Sequence, residues 1–297
     1  MKKTMFLISI ITLLASCTNN NTIKSKPIIV SSFFVITDFV KKIVGEKYDI
    51  ITLTEDGVEP HEYEPTPGQV KKMYDADIIF CNGLDIEHWS HDLPKELNDK
   101  IKFIGEDEKI DYLIIDNAKD PHVWLNPLYA LIELDNIKEA MISIDSQNKT
   151  YYEERYNIYS SYISNLDSLL ENLFSPYENY KFVTSHEAFG YFANRYNLQE
   201  ISINGLSPED EPTPNKLAEL VKEINELNIN TIFYESFSSS SISETISKET
   251  NTAISTLSTL ENVSKDELFN DYNSLILENS LKLLESFKSV DFPLPFS

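Results

Sequence analysis

One stretch near the middle of the chain, Lys149 to Phe174, limits the folds open to it. Tyr152, Tyr156, Tyr159, Ile163, Leu166, Leu170 and Leu173 recur at steps of 4, 3, 4, 3, 4 and 3, which puts one apolar stripe on a continuous helix. At about 1.5 Å per residue such a helix is roughly 39 Å long. A coiled-coil seam has the same spacing, but the run is short, and Asn157 and Ser160 favour a helix laid across two lobes. A helical strut flexes less than a hinge of two or three strands, so large closure motions are not expected.

The sequence on either side of this helix alternates short apolar runs with amphipathic ones. In the first half, Pro27 to Ser32, Tyr48 to Thr54, Ile78 to Cys81 and Lys102 to Ile104 read as strands, and Val35 to Val44 and Gly68 to Tyr74 as helices. In the second half, Lys181 to Thr184, Thr231 to Tyr234 and Ala253 to Leu257 read as strands. Ala188 to Tyr196, Pro214 to Asn225, Ile242 to Thr250 and Tyr272 to Phe287 read as helices. Strands alternating with helices imply mainly parallel sheets with helical crossovers. The expected architecture is therefore α/β, with an N-terminal lobe over residues 27–147, a linking helix over 148–175 and a C-terminal lobe over 176–297. No short-period repeat suggests a solenoid.

The N-terminus is read separately from the fold. Lys2 and Lys3 precede an apolar run from Met5 to Leu14, followed by Leu14-Ala15-Ser16-Cys17, the pattern of a signal peptide over residues 1–16. The run is too short to span a bilayer, which takes about 20 apolar residues. Its end resembles a bacterial lipobox, which would make Cys17 a lipidated first mature residue, and residues 17–26 a polar tether. The location implied is the cell envelope, outside the cytoplasm and lipid-anchored to a membrane. With Cys17 acylated, Cys81 is the remaining thiol, so no intrachain disulfide forms; Cys81 reads as a small buried apolar residue. A net charge of −23 excludes nucleic acid as a partner.

Histidine is scarce here, which gives its placement weight. His61 lies in Glu59-Pro60-His61-Glu62-Tyr63-Glu64-Pro65-Thr66-Pro67 and His122 in Asp120-Pro121-His122-Val123-Trp124-Leu125-Asn126-Pro127. Prolines rule out helix interior at both and stiffen the loops. His186 directly follows the strand Lys181 to Thr184, and Glu261 follows the strand Ala253 to Leu257. Open α/β sheets place their ligand sites at such strand ends. Three imidazoles and a carboxylate suit Zn²⁺. Coming from distant parts of the chain, they form a site only when the tertiary fold does. His88 and His91, at i and i+3, are a possible auxiliary metal pair, with surface histidines as the plainer reading. Glu62, Glu187 and Glu235 are candidate acceptors for imidazole N–H groups. Because ligand histidines must lose a proton, zinc affinity is expected to fall below about pH 6.

The segments Pro60 to Pro67, Ala76 to Gly83, Asp120 to Pro127, Ser185 to Phe192 and Glu211 to Pro214 resemble, in order and over essentially the whole mature chain, the zinc/manganese-type solute-binding lipoproteins of ABC importers. The resemblance implies two α/β lobes joined by one long helix, with the metal in the cleft between them. It implies His61, His122 and His186 as the first three ligands and Glu261 as the acidic fourth, an ABC importer permease as partner, and a monomer. Manganese-type members carry a carboxylate where this chain has His186; nitrogen-rich ligation favours Zn²⁺, with Mn²⁺ the alternative. The histidine-rich loop of many zinc members is missing. A surface adhesin is a further reading of such relatives. A zinc hydrolase fits least: no second histidine follows four residues after His61 or His186, and four protein ligands leave no open position for water. The chain is thus not expected to be an enzyme.

Overall fold

The computed structural model describes residues 26–210, 212–235, 241–263 and 270–291. The expected signal peptide, Cys17 and the tether up to residue 25 lie outside the described residues. Among those described, no helix is long and apolar enough to cross a membrane.

The N-terminal lobe runs β1 (Ile28–Ser31), α1 (Phe34–Val44), β2 (Asp49–Thr52), α2 (Pro67–Asp75), β3 (Ile78–Cys81), α3 (Lys95–Asn98) and β4 (Ile101–Phe103). A two-stranded hairpin, β5 (Ile114–Ile115) and β6 (Ala118–Lys119), leads to α4 (Pro127–Ile144) and then α5 (Lys149–Phe174). The C-terminal lobe runs β7 (Lys181–Thr184), α6 (Gly190–Arg195), β8 (Gln199–Ser202), α7 (Pro214–Glu226), β9 (Thr231–Tyr234), α8 (Ser241–Thr250), β10 (Ala253–Thr256) and α9 (Tyr272–Asp291).

The two main sheets have one plan. Their strand orders are β2-β1-β3-β4 and β8-β7-β9-β10, and every pairing within them is parallel. In each lobe the second helix starts the same way: Thr66 caps α2 ahead of Pro67, and Thr213 caps α7 ahead of Pro214. The threonine oxygen takes a free first-turn N–H, and proline's missing N–H costs nothing at that position.

Helix α5 covers the full 26 residues that its stripe predicts. It packs on α1 and α4 on one side and on α9 on the other. Tyr152, Ile163, Leu166 and Leu170 are buried, and one continuous apolar core joins Phe39, Ile137 and Trp124 to Phe182, Phe233 and Leu283. Each fully buried side chain of this size contributes roughly 1.5–3 kcal/mol.

Five elements were not legible in advance: the short helix α3, the hairpin strands β5 and β6, helix α4 and strand β8. Helix α4 escapes a periodicity reading because it packs against both α1 and α5 and carries apolar residues on several faces. Its local start signal is nonetheless present, since Asn126 caps it and Pro127 occupies the first turn. Strand β8, Gln199-Glu-Ile-Ser202, is an edge strand with little apolar contrast; pairing to β7 makes it a strand. The predicted helix from Ala188 is shorter, Gly190–Arg195.

Behind the cleft the lobes are bonded directly. Helix α1 has no side-chain cap; instead Phe34 N donates to the Glu261 carbonyl at 3.3 Å and Val35 N to the Leu260 carbonyl at 3.2 Å. Trp124 Nε1 donates to the Thr259 carbonyl at 2.7 Å and Tyr272 Oη to the Trp124 carbonyl at 2.8 Å. Buried Lys42 reaches Asp38 at 2.8 Å and Asp271 at 3.2 Å.

Candidate metal centre

Each of the four expected donors is held by a different local device. His61 sits in the turn after β2, where Tyr63 Oη and Gln69 Nε2 both donate to the Leu53 carbonyl at 2.8 Å and pin the proline-rich loop to the strand end. His122 precedes a single turn of 3-10 helix, Val123–Leu125. Asp120 Oδ1 accepts from the His122 backbone N–H at 2.9 Å and from its Nδ1 at 2.7 Å. Asn82, one residue past β3, donates to the Pro121 carbonyl at 3.0 Å.

His186 lies two residues past β7, and its Nδ1 is hydrogen-bonded to Glu235, one residue past β9. Strands β7 and β9 are neighbours where the strand order reverses, so this pair lines the crevice that such a reversal opens. Glu261 follows Leu260, whose φ of 63° is costly for a non-glycine residue. The bonds from Phe34 and Val35 offset that strain and fix the loop.

The structure brings all four together: one donor atom from each of His61, His122, His186 and Glu261 lies within 4.8 Å of the others. His61 Nε2 is 3.2 Å from His122 Nε2 and 3.2 Å from Glu261 Oε1, and His122 Nε2 is 3.0 Å from that same oxygen. The edge of a tetrahedron around zinc, with metal–nitrogen bonds of about 2.0–2.1 Å, is about 3.3 Å. The spacing of His61, His122 and Glu261 is that of ligands around one ion, and the His186 donor lies within 4.8 Å of each. With Nδ1 of His122 and His186 given to carboxylates, Nε2 is the atom of each ring that faces the centre; His186 Nε2 is buried with no hydrogen-bond partner among the described residues. The His61 side chain is 11% exposed and those of the other three at most 1%, so His61 forms the rim.

Charge in the metal-free pocket follows from burial and neighbours. Burial pulls the His122 pKa down, but Asp120 and Glu261 outweigh it and raise it to about 10. His186 is likewise lifted to about 9 against burial, by Glu235 and then Glu261. Burial dominates at His61 and lowers it. Glu261, although buried, is held well below the usual carboxylate range by its bonds to His122 and His61. Glu59 is raised to about 8 by burial and by the charges of Glu261 and Glu235.

Several roles were not legible from sequence. Asp120 is the acceptor for His122; its position two residues before the histidine in Asp-Pro-His was the available signal. Of the three suggested acceptors Glu235 holds His186, while neither Glu62 nor Glu187 bonds a ligand ring; Glu187 is instead bonded to Ser202. Glu59 forms a second group of close carboxylates with Glu235 and Glu261. His88 and His91 turn to separate exposed carboxylates, Glu64 at 3.6 Å and Asp85 at 2.7 Å, and among the described residues no third donor joins them. Cys81 is buried and free, as expected.

Comparison with known proteins also points to zinc. The family model described as zinc-uptake complex component A, periplasmic, matches residues 29–286. The high-affinity zinc uptake system protein ZnuA of Bacillus subtilis is 33% identical over 277 residues, covering 86% of this chain and 87% of its own length. The zinc-binding lipoprotein AdcA of Streptococcus pneumoniae is 30% identical over 94% of this chain, which spans 59% of that longer protein. Among solved structures, the laminin-binding protein Lmb of Streptococcus agalactiae, described as bifunctional with adhesin and metal-transporting activity, is 28% identical. It aligns with a TM-score of 0.82 over 88% of this chain and 99% of its own.

Proposed function

The chain belongs to the zinc-uptake complex component A family, and we propose that it captures Zn²⁺ outside the cytoplasm through His61, His122, His186 and Glu261 and hands it to an ABC importer permease. It is a solute-binding component and not an enzyme. The observation that supports the ligand set is the convergence of those four donors within 4.8 Å of one another, three of them at tetrahedral spacing, with the Nδ1 atoms of His122 and His186 bonded to carboxylates.

The arrangement suits capture. Three imidazole nitrogens and a single acid favour Zn²⁺ over Mn²⁺, which takes more oxygen ligands. Four protein donors close the coordination sphere, so zinc is held without an activated water. The exposed edge of His61 is the side from which the ion arrives and leaves. On binding, His122 and His186 give up the protons that their carboxylate partners favour, and Asp120, Glu235 and Glu261 offset the charge of the ion.

The cell-envelope location comes with the family. Within it we assign residues 1–16 as signal peptide, Cys17 as the lipidated anchor, 27–147 and 176–297 as the lobes, and a monomer as the working unit. Anomalous scattering at the zinc edge from crystals grown without added metal tests the site: one peak between the three imidazoles is expected, and a peak elsewhere refutes the ligand set. Loss of zinc uptake on deletion, restored by wild type and not by Cys17→Ala, tests transport and anchor together.

A further inference from the structure

The fourth ligand is more constrained than a capture site requires. Glu261 presents Oε1 to the histidines, while its second oxygen, Oε2, accepts from the Thr259 hydroxyl at 2.8 Å. That hydroxyl also lies 3.1 Å from Glu235 Oε2, but it has one hydrogen to give, and the shorter bond is to Glu261. Thr259 is itself fixed: it is 3% exposed, and its carbonyl accepts from Trp124 Nε1 at 2.7 Å. The Leu260 turn, tied to α1, sets the distance between the two side chains.

We propose that the Thr259 hydroxyl makes Glu261 a single-oxygen ligand and so makes the centre selective for a four-coordinate cation over one needing more oxygens. A carboxylate free at both oxygens can close on the ion with two bonds, adding the fifth ligand that Mn²⁺ accepts more readily than Zn²⁺. A hydroxyl donating to Oε2 opposes that swing. Thr259 is a positioning residue, acting through Glu261, and the inference rests on Glu261 being a metal ligand.

Three variants of the full chain test it: Thr259→Val, which keeps the shape and removes the donor, Thr259→Ser, which keeps the donor, and Glu261→Ala. The readouts are Zn²⁺ and Mn²⁺ dissociation constants and the visible absorption of the Co²⁺-loaded protein, intense for four ligands and weaker for five or six. Thr259→Val is expected to narrow the Zn²⁺/Mn²⁺ affinity ratio by about tenfold, the low end for removing an outer-shell partner, and to weaken the Co²⁺ bands. Thr259→Ser is expected to restore both. An unchanged ratio and spectrum in Thr259→Val, or equal loss of both metals, overturns the proposal while leaving the ligand set intact if Glu261→Ala still weakens zinc. Unchanged zinc affinity in Glu261→Ala overturns both.

Discussion

The two lobes share a strand order but use equivalent positions differently. Two residues past the first strand, the N-terminal lobe has Phe33 and the C-terminal lobe has His186. Phe33 is buried, 5.3 Å from the Trp124 ring, and leads into the α1 start that bonds the carbonyls of Leu260 and Glu261. His186 faces the centre. One residue past the third strand, the roles converge: Asn82 holds the loop of His122, and Glu235 holds His186. One lobe's strand end grips its neighbour and the other's offers a ligand, so the cleft has donors from both sides without a symmetric site.

This contrast can be broken by substitution at the matched positions. Phe33→Ala leaves a cavity in the shared core and is expected to cost about 3–5 kcal/mol of unfolding free energy, measured by denaturant titration, with zinc still bound by the folded fraction. His186→Ala is expected to act mainly on the metal, weakening zinc by more than about 100-fold, beyond what outer partners give, while the metal-free fold at neutral pH also loses the contribution of the raised imidazole. The substitution should also remove most of the zinc-induced rise in melting temperature. A Phe33→Ala protein that is folded yet cannot bind zinc would merge the two roles and dissolve the comparison.

Next in size, Asp120→Asn and Glu235→Gln each remove the charge behind one imidazole. About 10- to 100-fold weaker zinc binding is expected from either, checked by competition with a chelator. A loss confined to Glu235→Gln would mean that the two lobes support their histidines by different means.

A change of pH tests both imidazoles without a substitution. Since His122 and His186 have pKa values raised to about 10 and about 9 in the metal-free pocket, zinc must displace protons well above the ordinary imidazole value. Apparent affinity is expected to climb through pH 7 to 9, by about tenfold per unit for each proton that leaves, where unperturbed histidines would level off above about 6.5. The metal-free fold behaves oppositely: a raised histidine stabilises it fully below about pH 6.5, and that contribution is lost as pH rises through 9 to 10. Melting curves with and without zinc from pH 6 to 9 are therefore expected to diverge. Parallel curves would show that neither imidazole holds a proton at neutrality.

The sequence by itself determined the long helix, because a stripe repeating every three or four residues can be buried only in one way. It determined the alternation of strand and helix, and it singled out three scarce histidines on stiffened loops or at a strand end. Among the elements it missed, α4 and β8 take their character from neighbours: one helix covered on several sides, one polar edge strand made by pairing. The tertiary structure alone decided that four donors far apart in the chain share one centre. It alone showed that Asp120 stands behind His122, that of three candidate acceptors Glu235 is the one behind His186, and that Thr259 occupies the spare oxygen of Glu261. Such contacts depend on angstrom-scale distances across the interlobe cleft, and those distances come from packing α1, Trp124 and the Glu261 loop together, which no local pattern of residues encodes.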